Sequence, residues 1–321
     1  MQLTFLGTSA GAPTKDRNVS AVALRRGSAW DLFDCGEATQ HQLMSTPLSL
    51  PKLRRIFISH LHGDHCFGLF GLLGSRSMAG ADTPLHIYGP DGLEEMVRLV
   101  LETSDSHVTY PLEFHIVAKD GARLVDDENE TITAIALDHR VRSFAWHIGE
   151  TERPGALDTE RAVELGVEPG ADYGRLQRGE SVPGTDGPVA PSDVIGPARP
   201  GRSLIIAGDN RDPQHLLERT GPVQLLVHEA TFTEDAVAKI GDDRGHSTGA
   251  RVGKAAEAGG ADNVILTHFS PRYGPPGASG QSVDDIAAEA NSYFAGNLQL
   301  AADFDSYELL IDGSLSKLAR G

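Results

Sequence analysis

Four potential metal ligands lie within six residues of the sequence, in the segment His60-Leu61-His62-Gly63-Asp64-His65. The segment directly follows Leu53 to Ile58, which we predict to be a strand. Side chains alternate along an extended chain, so His60 and His62 point to the same side, and Asp64 and His65 then turn toward a neighbouring position. Imidazole and carboxylate ligands suit zinc, manganese and similar divalent ions. The spacing therefore predicts a loop that supplies ligands to two adjacent metal ions.

Two plainer interpretations of the histidine loop are disfavoured. A solvated polar loop could hold several histidines by chance, but this six-residue pattern at a strand end is uncommon. A purely structural zinc site would favour cysteine-rich ligation. The chain has only Cys35 and Cys66, which we interpret as small buried residues.

Three later residues complete a possible ligand set. His139, Asp209 and His268 each stand at the C-terminal end of a predicted strand, where sites of α/β proteins gather. Taken singly, each is more simply explained as a capping or surface residue. Together with the loop they form a coherent two-metal set, in which the two oxygens of Asp209 can bridge both ions.

The order of predicted elements indicates an α/β layered fold. A β-rich opening is followed by alternating strands and helices, and the C-terminal ends of the strands carry the polar clusters. We predict strands at 3–6, 19–24, 30–33, 53–58, 85–88, 132–137, 203–207, 225–227 and 264–266, and helices at 38–44, 68–75, 93–101, 215–217 and 250–258.

The segment from Thr151 to Pro200 differs from the rest of the chain. It holds eight glycines and seven prolines in 50 positions, about twice the density of the whole chain. This composition predicts an inserted arm with little regular structure and one short helix near Glu160 to Leu165. A disordered linker between two domains is the alternative. We prefer an arm inside a single domain of residues 1–321, because the sequences on both sides contribute to one metal site.

Bulk composition excludes several classes of protein. The net charge of −17 argues against a protein that coats nucleic acid, although a local basic patch remains compatible with it. No apolar stretch is long enough to span a membrane. Two cysteines form no disulfide framework, so we expect a reducing, cytoplasmic compartment.

At this point the sequence resembles the metallo-β-lactamase superfamily, whose signature is the H-x-H-x-D-H loop, and within it the short form of the tRNase Z family. The stretch from Pro13 to Asn18 is similar to that family's P-x-K-x-R-N loop, and Phe33 to Gln40 is similar to its F-D-C-G-E-x-T-Q stretch. His228 to Thr231 resembles its H-E-A-T motif, and His246 to Thr248 its H-S-T motif. The resemblance extends from the first strand to Tyr273.

The resemblance implies a four-layer αβ/βα sandwich with two divalent metal ions at one edge, Zn²⁺ being expected and Mn²⁺ the alternative. One ion would be bound by His60, His62 and His139, the other by Asp64, His65 and His268, with Asp209 between them. The segment 151–200 falls where the family carries its flexible arm, or exosite, which holds the tRNA body. Family members are homodimers that cleave precursor tRNA, and no membrane partner is expected.

The expected reaction removes a 3′ trailer from precursor tRNA by phosphodiester hydrolysis and leaves a tRNA 3′-hydroxyl and a 5′-phosphate trailer. Asp64 would bind a metal and accept a proton from the attacking water. His246 would protonate the departing 3′ oxygen, oriented by Glu229. Asp34 would orient a ligand histidine through a hydrogen bond, and His228 would support the same site.

Contact with RNA requires positive charge despite the acidic total. The candidate substrate-binding residues are Lys15, Arg17, Arg76, Arg272, Arg175 and Arg178, and Tyr273 offers a stacking face beside Arg272.

Two features depart from the family. Asn210 stands where the family usually has threonine, and the arm carries five arginines against nine acidic residues, a net charge of −4.

Two other functions are compatible with the sequence. A small-molecule phosphodiesterase of the same fold is the first alternative, because the metal loop alone cannot separate it from a ribonuclease. A catalytically silent RNA-binding subunit is the second, and the intact ligand set argues against it. The arm and the loop from Pro13 to Asn18 favour RNA as the substrate.

Overall fold

The structure is a computed structural model that describes residues 1–241 and 243–320. The chain divides into two compact units. The larger unit contains residues 1–127, 131–148 and 203–320, and the smaller contains residues 128–130 and 149–202. Among the described helices, none has the length and apolar character needed to cross a membrane.

The first sheet of the larger unit collects strands from both ends of the chain. Its strands are β1 (Gln2–Gly7), β2 (Ala21–Arg26), β3 (Ala29–Phe33), β4 (Leu53–Phe57), β5 (Leu85–Gly89), β6 (Leu112–Ile116), β16 (Ser306–Leu309) and β17 (Leu315–Leu318). They lie in the order β17-β16-β1-β2-β3-β4-β5-β6, and β3 to β6 are parallel. The helices of this half are α1 (Thr39–Leu43), α2 (Gly63–Cys66), α3 (Leu69–Met78) and α4 (Leu93–Thr103), with a 3₁₀ turn at Leu50–Lys52.

The second sheet of the larger unit contains the later strands. These are β7 (Arg123–Asp126), β8 (Glu130–Leu137), β9 (Ser143–Glu150), β12 (Ser203–Ala207), β13 (Val223–Glu229), β14 (Ala261–Thr267) and β15 (Asn297–Leu300). They lie in the order β15-β14-β13-β12-β9-β8-β7, and β12 to β15 are parallel. The helices of this half are α8 (Pro213–Thr220), α9 (Glu234–Ile240), α10 (Gly249–Gly259) and α11 (Val283–Asn291).

Three buried apolar clusters of the larger unit define its layers. The central cluster joins the facing surfaces of the two sheets, and Phe57 packs there on Phe33 and Trp146. A second cluster lies between the first sheet and α3 and α4, and a third between the second sheet and α8, α10 and α11. The resulting order of layers is helix, sheet, sheet, helix, which confirms the expected αβ/βα sandwich.

The prediction that Arg76 binds RNA is wrong, because Arg76 lies on the buried face of α3. Leu69, Leu72 and Leu73 are buried, and Arg76 continues the same stripe at helical spacing. The Arg76 side chain is fully buried, donates to the carbonyl oxygens of Leu53 and Thr83, and lies 4.1 Å from the Tyr110 ring centre. A buried arginine with these partners supports the packing of α3 and cannot contact RNA.

The smaller unit contains more regular structure than its composition predicts. It has α5 (Thr159–Glu164), α6 (Ala171–Gln177), a hairpin of β10 (Val182–Pro183) and β11 (Pro188–Val189), and α7 (Pro191–Val194). Its own apolar cluster includes Ala162, Leu176 and Val194. The helix predicted near Glu160 to Leu165 is therefore confirmed as α5, but the prediction of little other regular structure is wrong. Some of the glycines and prolines lie at element boundaries, as Gly166 (φ 84°) and Pro191 do, and Gly174 lies inside α6 without interrupting it.

A buried ion cluster stabilises the first sheet. The Asp31 side chain on β3 is fully buried and accepts from Arg55 of β4 at 2.6 Å, and Arg26 and Arg54 also pair with it. Burial alone would raise the pKa of Asp31, but hydrogen bonding and attraction to Arg55 outweigh burial and lower it. Because the folded-state pKa is depressed, the ionised carboxylate stabilises the fold above pH ~4, and this contribution is lost as the pH falls further.

Replacing Asp31 with asparagine is expected to lower the free energy of unfolding by about 3–5 kcal/mol at pH 7, because Arg55 is left buried without its counter-charge. Urea unfolding measures the change, and the difference from the unsubstituted protein should shrink as the pH falls below ~4. Asp126→Asn is the matched control, since Asp126 pairs with Arg123 on the surface. An equal effect of both substitutions would contradict this assignment.

Candidate metal centre

The predicted ligands meet where strands of both sheets end. The loop from His60 to His65 follows β4, with His62 directly before α2, and Asp34 follows β3. From the second sheet, His139 follows β8, Asp209 follows β12 and His268 follows β14. The carboxyl ends of neighbouring parallel strands lie at one edge of a sheet, and this arrangement brings all seven predicted metal ligands together.

The first group of donors is His60, His62, His139 and Asp209. The Nε2 atom of His60 is 2.9 Å from Nδ1 of His62, and Nε2 of His139 is 3.4 Å from the same Nδ1. Burial and the neighbouring His65 lower the pKa of His60 well below its usual value, which keeps its ring neutral. Neutral imidazole is the form that binds a metal.

The second group of donors is Asp64, His65 and His268. The Nε2 atoms of the two histidines are 3.1 Å apart, and Oδ2 of Asp64 lies 3.4 Å from that of His268. Burial alone would lower the pKa of His65, but Asp209 and Asp34 raise it well above its usual value. The negative potential that holds a proton at this ring also favours a divalent cation there.

Asp209 lies between the two groups. Its Oδ2 atom is 3.6 Å from Nε2 of His60, and its Oδ1 atom is 3.3 Å from Nε2 of both His65 and His268. Although Oδ1 is buried, it accepts no well-directed hydrogen bond from the described residues. Metal–nitrogen bonds of roughly 2.0–2.1 Å in a tetrahedral site place ligand atoms about 3.3 Å apart. The donor spacing and the orphaned oxygen therefore fit two divalent ions with Asp209 between them.

His246 and Glu229 form a hydrogen-bonded pair beside the donors. Nδ1 of His246 is 3.2 Å from Oε1 of Glu229 and 3.7 Å from Oδ2 of Asp209. Burial alone would lower the pKa of His246, but the Glu229 carboxylate raises it to about 9. At neutral pH the imidazole is therefore protonated and can donate a proton.

Hydrogen bonds from several directions fix Glu229. Its carboxylate is buried and accepts from the backbone N–H groups of Asn210, Ser247 and Thr231 and from the Thr231 hydroxyl, at 2.8–3.3 Å. The Thr231 hydroxyl also lies 3.0 Å from Nδ1 of His268. Thr231 thus links the pair of His246 and Glu229 to His268, one of the predicted metal ligands. No local sequence pattern indicates this role of Thr231, although Thr231 belongs to the H-E-A-T stretch.

Asn210 connects three of the loops that form the site. Its side chain is fully buried, with Nδ2 2.9 Å from Nε2 of His228 and Oδ1 accepting from the N–H groups of Asp138 and Asp212. The second ring nitrogen of His228 bonds the carbonyl oxygen of Glu229 at 2.7 Å. His228 therefore acts on the site through Asn210. Asn210, which stands where the family usually has threonine, therefore holds the loop of His139 against the loop of Asp209.

Asp34 supports the second group of donors. Its carboxylate accepts from the N–H and hydroxyl groups of Ser59 and lies 2.7 Å from Nδ1 of His65. This contact directs Nε2 of His65 toward His268 and Asp209. Both Asp34 and His268 have left-handed backbone conformations, with φ of 57° and 58°. Such conformations are uncommon outside glycine and cluster at functional sites.

The substitution Asp34→Asn is expected to lower metal affinity about 10- to 100-fold, because the amide removes the charge that supports His65. Asparagine has nearly the same shape and tolerates a left-handed backbone, so the fold should be preserved. Competition with a chromophoric chelator measures the affinity, and unfolding of the metal-free protein measures the fold. Unchanged metal affinity in a folded variant would refute the supporting role.

The predicted substrate-binding residues of the larger unit occupy different environments. Lys15 is exposed and lines a cavity of about 360 Å³. Arg17 is buried and donates to the carbonyl oxygen of Tyr273 at 2.6 Å. Arg272 is exposed and lies 5.0 Å from the centre of the Phe232 ring, whereas Tyr273 is buried. A stacking role for Tyr273 is therefore wrong, and Arg17 holds its loop through backbone contacts.

Taken together, the four-layer fold and its paired donor groups define a metallo-β-lactamase-fold metalloprotein. The chain is similar to "Ribonuclease Z" of Pseudomonas putida (strain W619), with 43% identity over 320 residues that cover 99% of each chain. It belongs to the ribonuclease Z family.

Further comparisons agree with this assignment. "Ribonuclease Z" of Brevibacillus brevis is 43% identical over 310 residues, which cover 95% of this chain and 96% of that protein. The crystal structure of human tRNase Z, short form, matches with a TM-score of 0.68 and 28% identity, over 97% of this chain and 100% of that one. A family model described as "Anti-Pycsar protein Apyc1" matches residues 1–107 only.

Proposed function

We propose that this protein is a metal-dependent endoribonuclease that removes 3′ trailers from precursor tRNA. The observation that carries the proposal is the placement of His246, held by Glu229, beside two donor groups with Asp209 between them. This arrangement pairs a site for divalent ions with a proton donor, as hydrolysis of a phosphodiester requires. Membership of the ribonuclease Z family supports precursor tRNA as the substrate.

The site would divide the reaction among named residues. Two divalent ions, when bound, would make a nucleophile available from water at neutral pH and stabilise charge on the phosphate. Asp64 would accept a proton from the attacking water. The bond between phosphorus and the 3′ oxygen would break, and His246 would protonate that oxygen. The products would be tRNA with a 3′-hydroxyl and a trailer with a 5′-phosphate.

We propose zinc as the metal, because the donors are five imidazoles and two carboxylates, and manganese is the alternative. We also propose that the protein acts as a homodimer, which its family resemblance supports. We propose that it is located in the cytoplasm, which its two free, buried cysteines support.

The arm of residues 151–200 is proposed to contact the tRNA body through Arg175 and Arg178. Both arginines are paired within the same segment, Arg175 with Asp172 and Glu180, and Arg178 with Glu180. An RNA phosphate would therefore compete with Glu180 for these guanidinium groups. Exposed pairs of this kind are weak, so the competition costs little. Lys15 and Arg272 are the proposed contacts of the larger unit.

A processing assay tests the proposed function. Purified protein, supplied with zinc or manganese, is incubated with a precursor tRNA that carries a 3′ trailer, beside an Asp64→Ala control. We expect a cut just after the discriminator nucleotide that is absent from the control. If the precursor stayed intact while bis(p-nitrophenyl) phosphate was hydrolysed, the protein would be a small-molecule phosphodiesterase of the same fold.

A further inference from the structure

A second cluster of possible metal ligands lies on the first sheet, outside the site described above. It consists of His86 on β5 and Glu113 and His115 on β6, the last strand of that sheet. The parallel register places His86 opposite Glu113 and Tyr88 opposite His115. Since residues two apart on a strand share a face, the three side chains point to the same side of the sheet.

The three ligand atoms converge at metal-binding distances. Nδ1 of His86 is 3.2 Å from Nε2 of His115 and 3.2 Å from Oε2 of Glu113. These separations are close to the value of about 3.3 Å for two ligands of one tetrahedral ion. They also match the spacing in the catalytic donor groups, where Nε2 of His65 and of His268 are 3.1 Å apart.

The surroundings of the cluster favour a bound cation. The Tyr88 ring stacks on His115, with ring centres 4.4 Å apart and planes within 13°, which fixes the orientation of the imidazole. Burial and the adjacent His86 lower the pKa of His115, so its ring is neutral at pH 7. The nearest register neighbour on β4 is Arg55, and its charge is compensated by Asp31 at 2.6 Å.

A simple ion pair between His86 and Glu113 explains only part of this arrangement. Such an ion pair does not explain the position of the His115 imidazole. That ring is aligned by stacking on Tyr88, and its Nε2 atom is as far from Nδ1 of His86 as the Glu113 carboxylate is. Two imidazoles and one carboxylate form the ligand set of several three-ligand zinc sites. The side chains of His86 and Glu113 are 36% and 47% exposed, so an ion can enter and water can complete its coordination.

We propose that His86, Glu113 and His115 form a third divalent-metal site, which binds zinc or another imidazole-preferring ion through three protein ligands. The site shares no residue with the catalytic donor groups, and the proposal does not depend on the substrate of the protein. Zinc, nickel and copper suit such ligands, whereas magnesium and calcium, which prefer oxygen, do not.

Zinc binding by the full-length protein tests the proposal. Equilibrium dialysis against buffered Zn²⁺, followed by elemental analysis, counts the bound ions in the unsubstituted protein and in the double variant His86→Ala, His115→Ala. We expect three ions per chain in the first and two in the second, with precursor cleavage retained in both. His107→Ala is the matched control, because it removes an exposed histidine from outside the cluster.

A conservative substitution guards against an effect of misfolding. Glu113→Gln keeps the shape of an exposed side chain and should weaken binding of the third ion about tenfold or more, since it removes a charged ligand. Mg²⁺ in place of Zn²⁺ should leave the cluster empty. Equal zinc stoichiometry and affinity in the unsubstituted protein and in all these variants would overturn the proposal.

Discussion

The His246→Ala variant is expected to cleave precursor tRNA with a single-turnover rate constant about 10²- to 10⁴-fold lower than that of the unsubstituted protein, while both metal ions stay bound. The imidazole lies 3.2 Å from Glu229, which keeps it protonated, and 3.7 Å from Asp209 at the junction of the donor groups. Alanine removes the proton donor for the departing 3′ oxygen. Single-turnover cleavage and elemental analysis of the same sample measure the two quantities.

The metal count decides between two roles for His246. His246 also offers a ring nitrogen within 4.8 Å of ligand atoms of Asp209 and His268, an arrangement that would let it bind an ion. Loss of activity together with loss of metal would assign it as a ligand. Full activity with both metals bound would remove it from the reaction. His107→Ala, on an exposed loop, controls for the loss of a histidine.

The Asp209→Asn variant is expected to lose catalytic metal and to cleave at a rate reduced by roughly a thousandfold or more. Its two oxygens face different donor groups, at 3.3 Å from His65 and 3.6 Å from His60. An amide cannot offer a charged oxygen to both ions, and the ions contribute several kcal/mol of transition-state stabilisation. Elemental analysis should find fewer ions per chain than in the unsubstituted protein.

A neighbouring acid provides the matched control for this substitution. Asp212→Asn makes the same chemical change three residues away, where Asp212 caps α8 by accepting from the His215 N–H. Asparagine caps helices about as well as aspartate does. Normal metal content and activity are therefore expected for this control. If Asp209→Asn also retained both, the carboxylate would not bridge the ions.

The strand ends made the donor cluster predictable from the sequence. His139, Asp209 and His268 were chosen because each follows an apolar run, and parallel strands carry their carboxyl ends to one edge. The partners of Asn210 and Thr231 could not be derived in this way, because their bonds depend on how separate loops meet in space. The cluster of His86 and His115 likewise depends on the pairing of β5 with β6, which no local pattern specifies.

The burial of charged residues was the least predictable property. Arg76 was predicted to bind RNA, yet it continues the spacing of Leu69, Leu72 and Leu73 on α3. That periodicity could have indicated its inward position. In the arm, the number of glycines and prolines predicted little regular structure. The position of each glycine or proline matters more than their number, because a boundary glycine such as Gly166 leaves the neighbouring helix intact.

Both sheets contribute predicted metal ligands, so the metal site cannot form until both have been synthesised. A ribosome delivers the loop from His60 to His65 early, while His268 emerges some 200 residues later, as its number in the chain indicates. The nascent chain can therefore hold ions only loosely until β14 has docked beside β13. Metal capture then becomes one of the last steps of maturation. A shortage of the metal in the cell would first slow the conversion of new chains into stable protein.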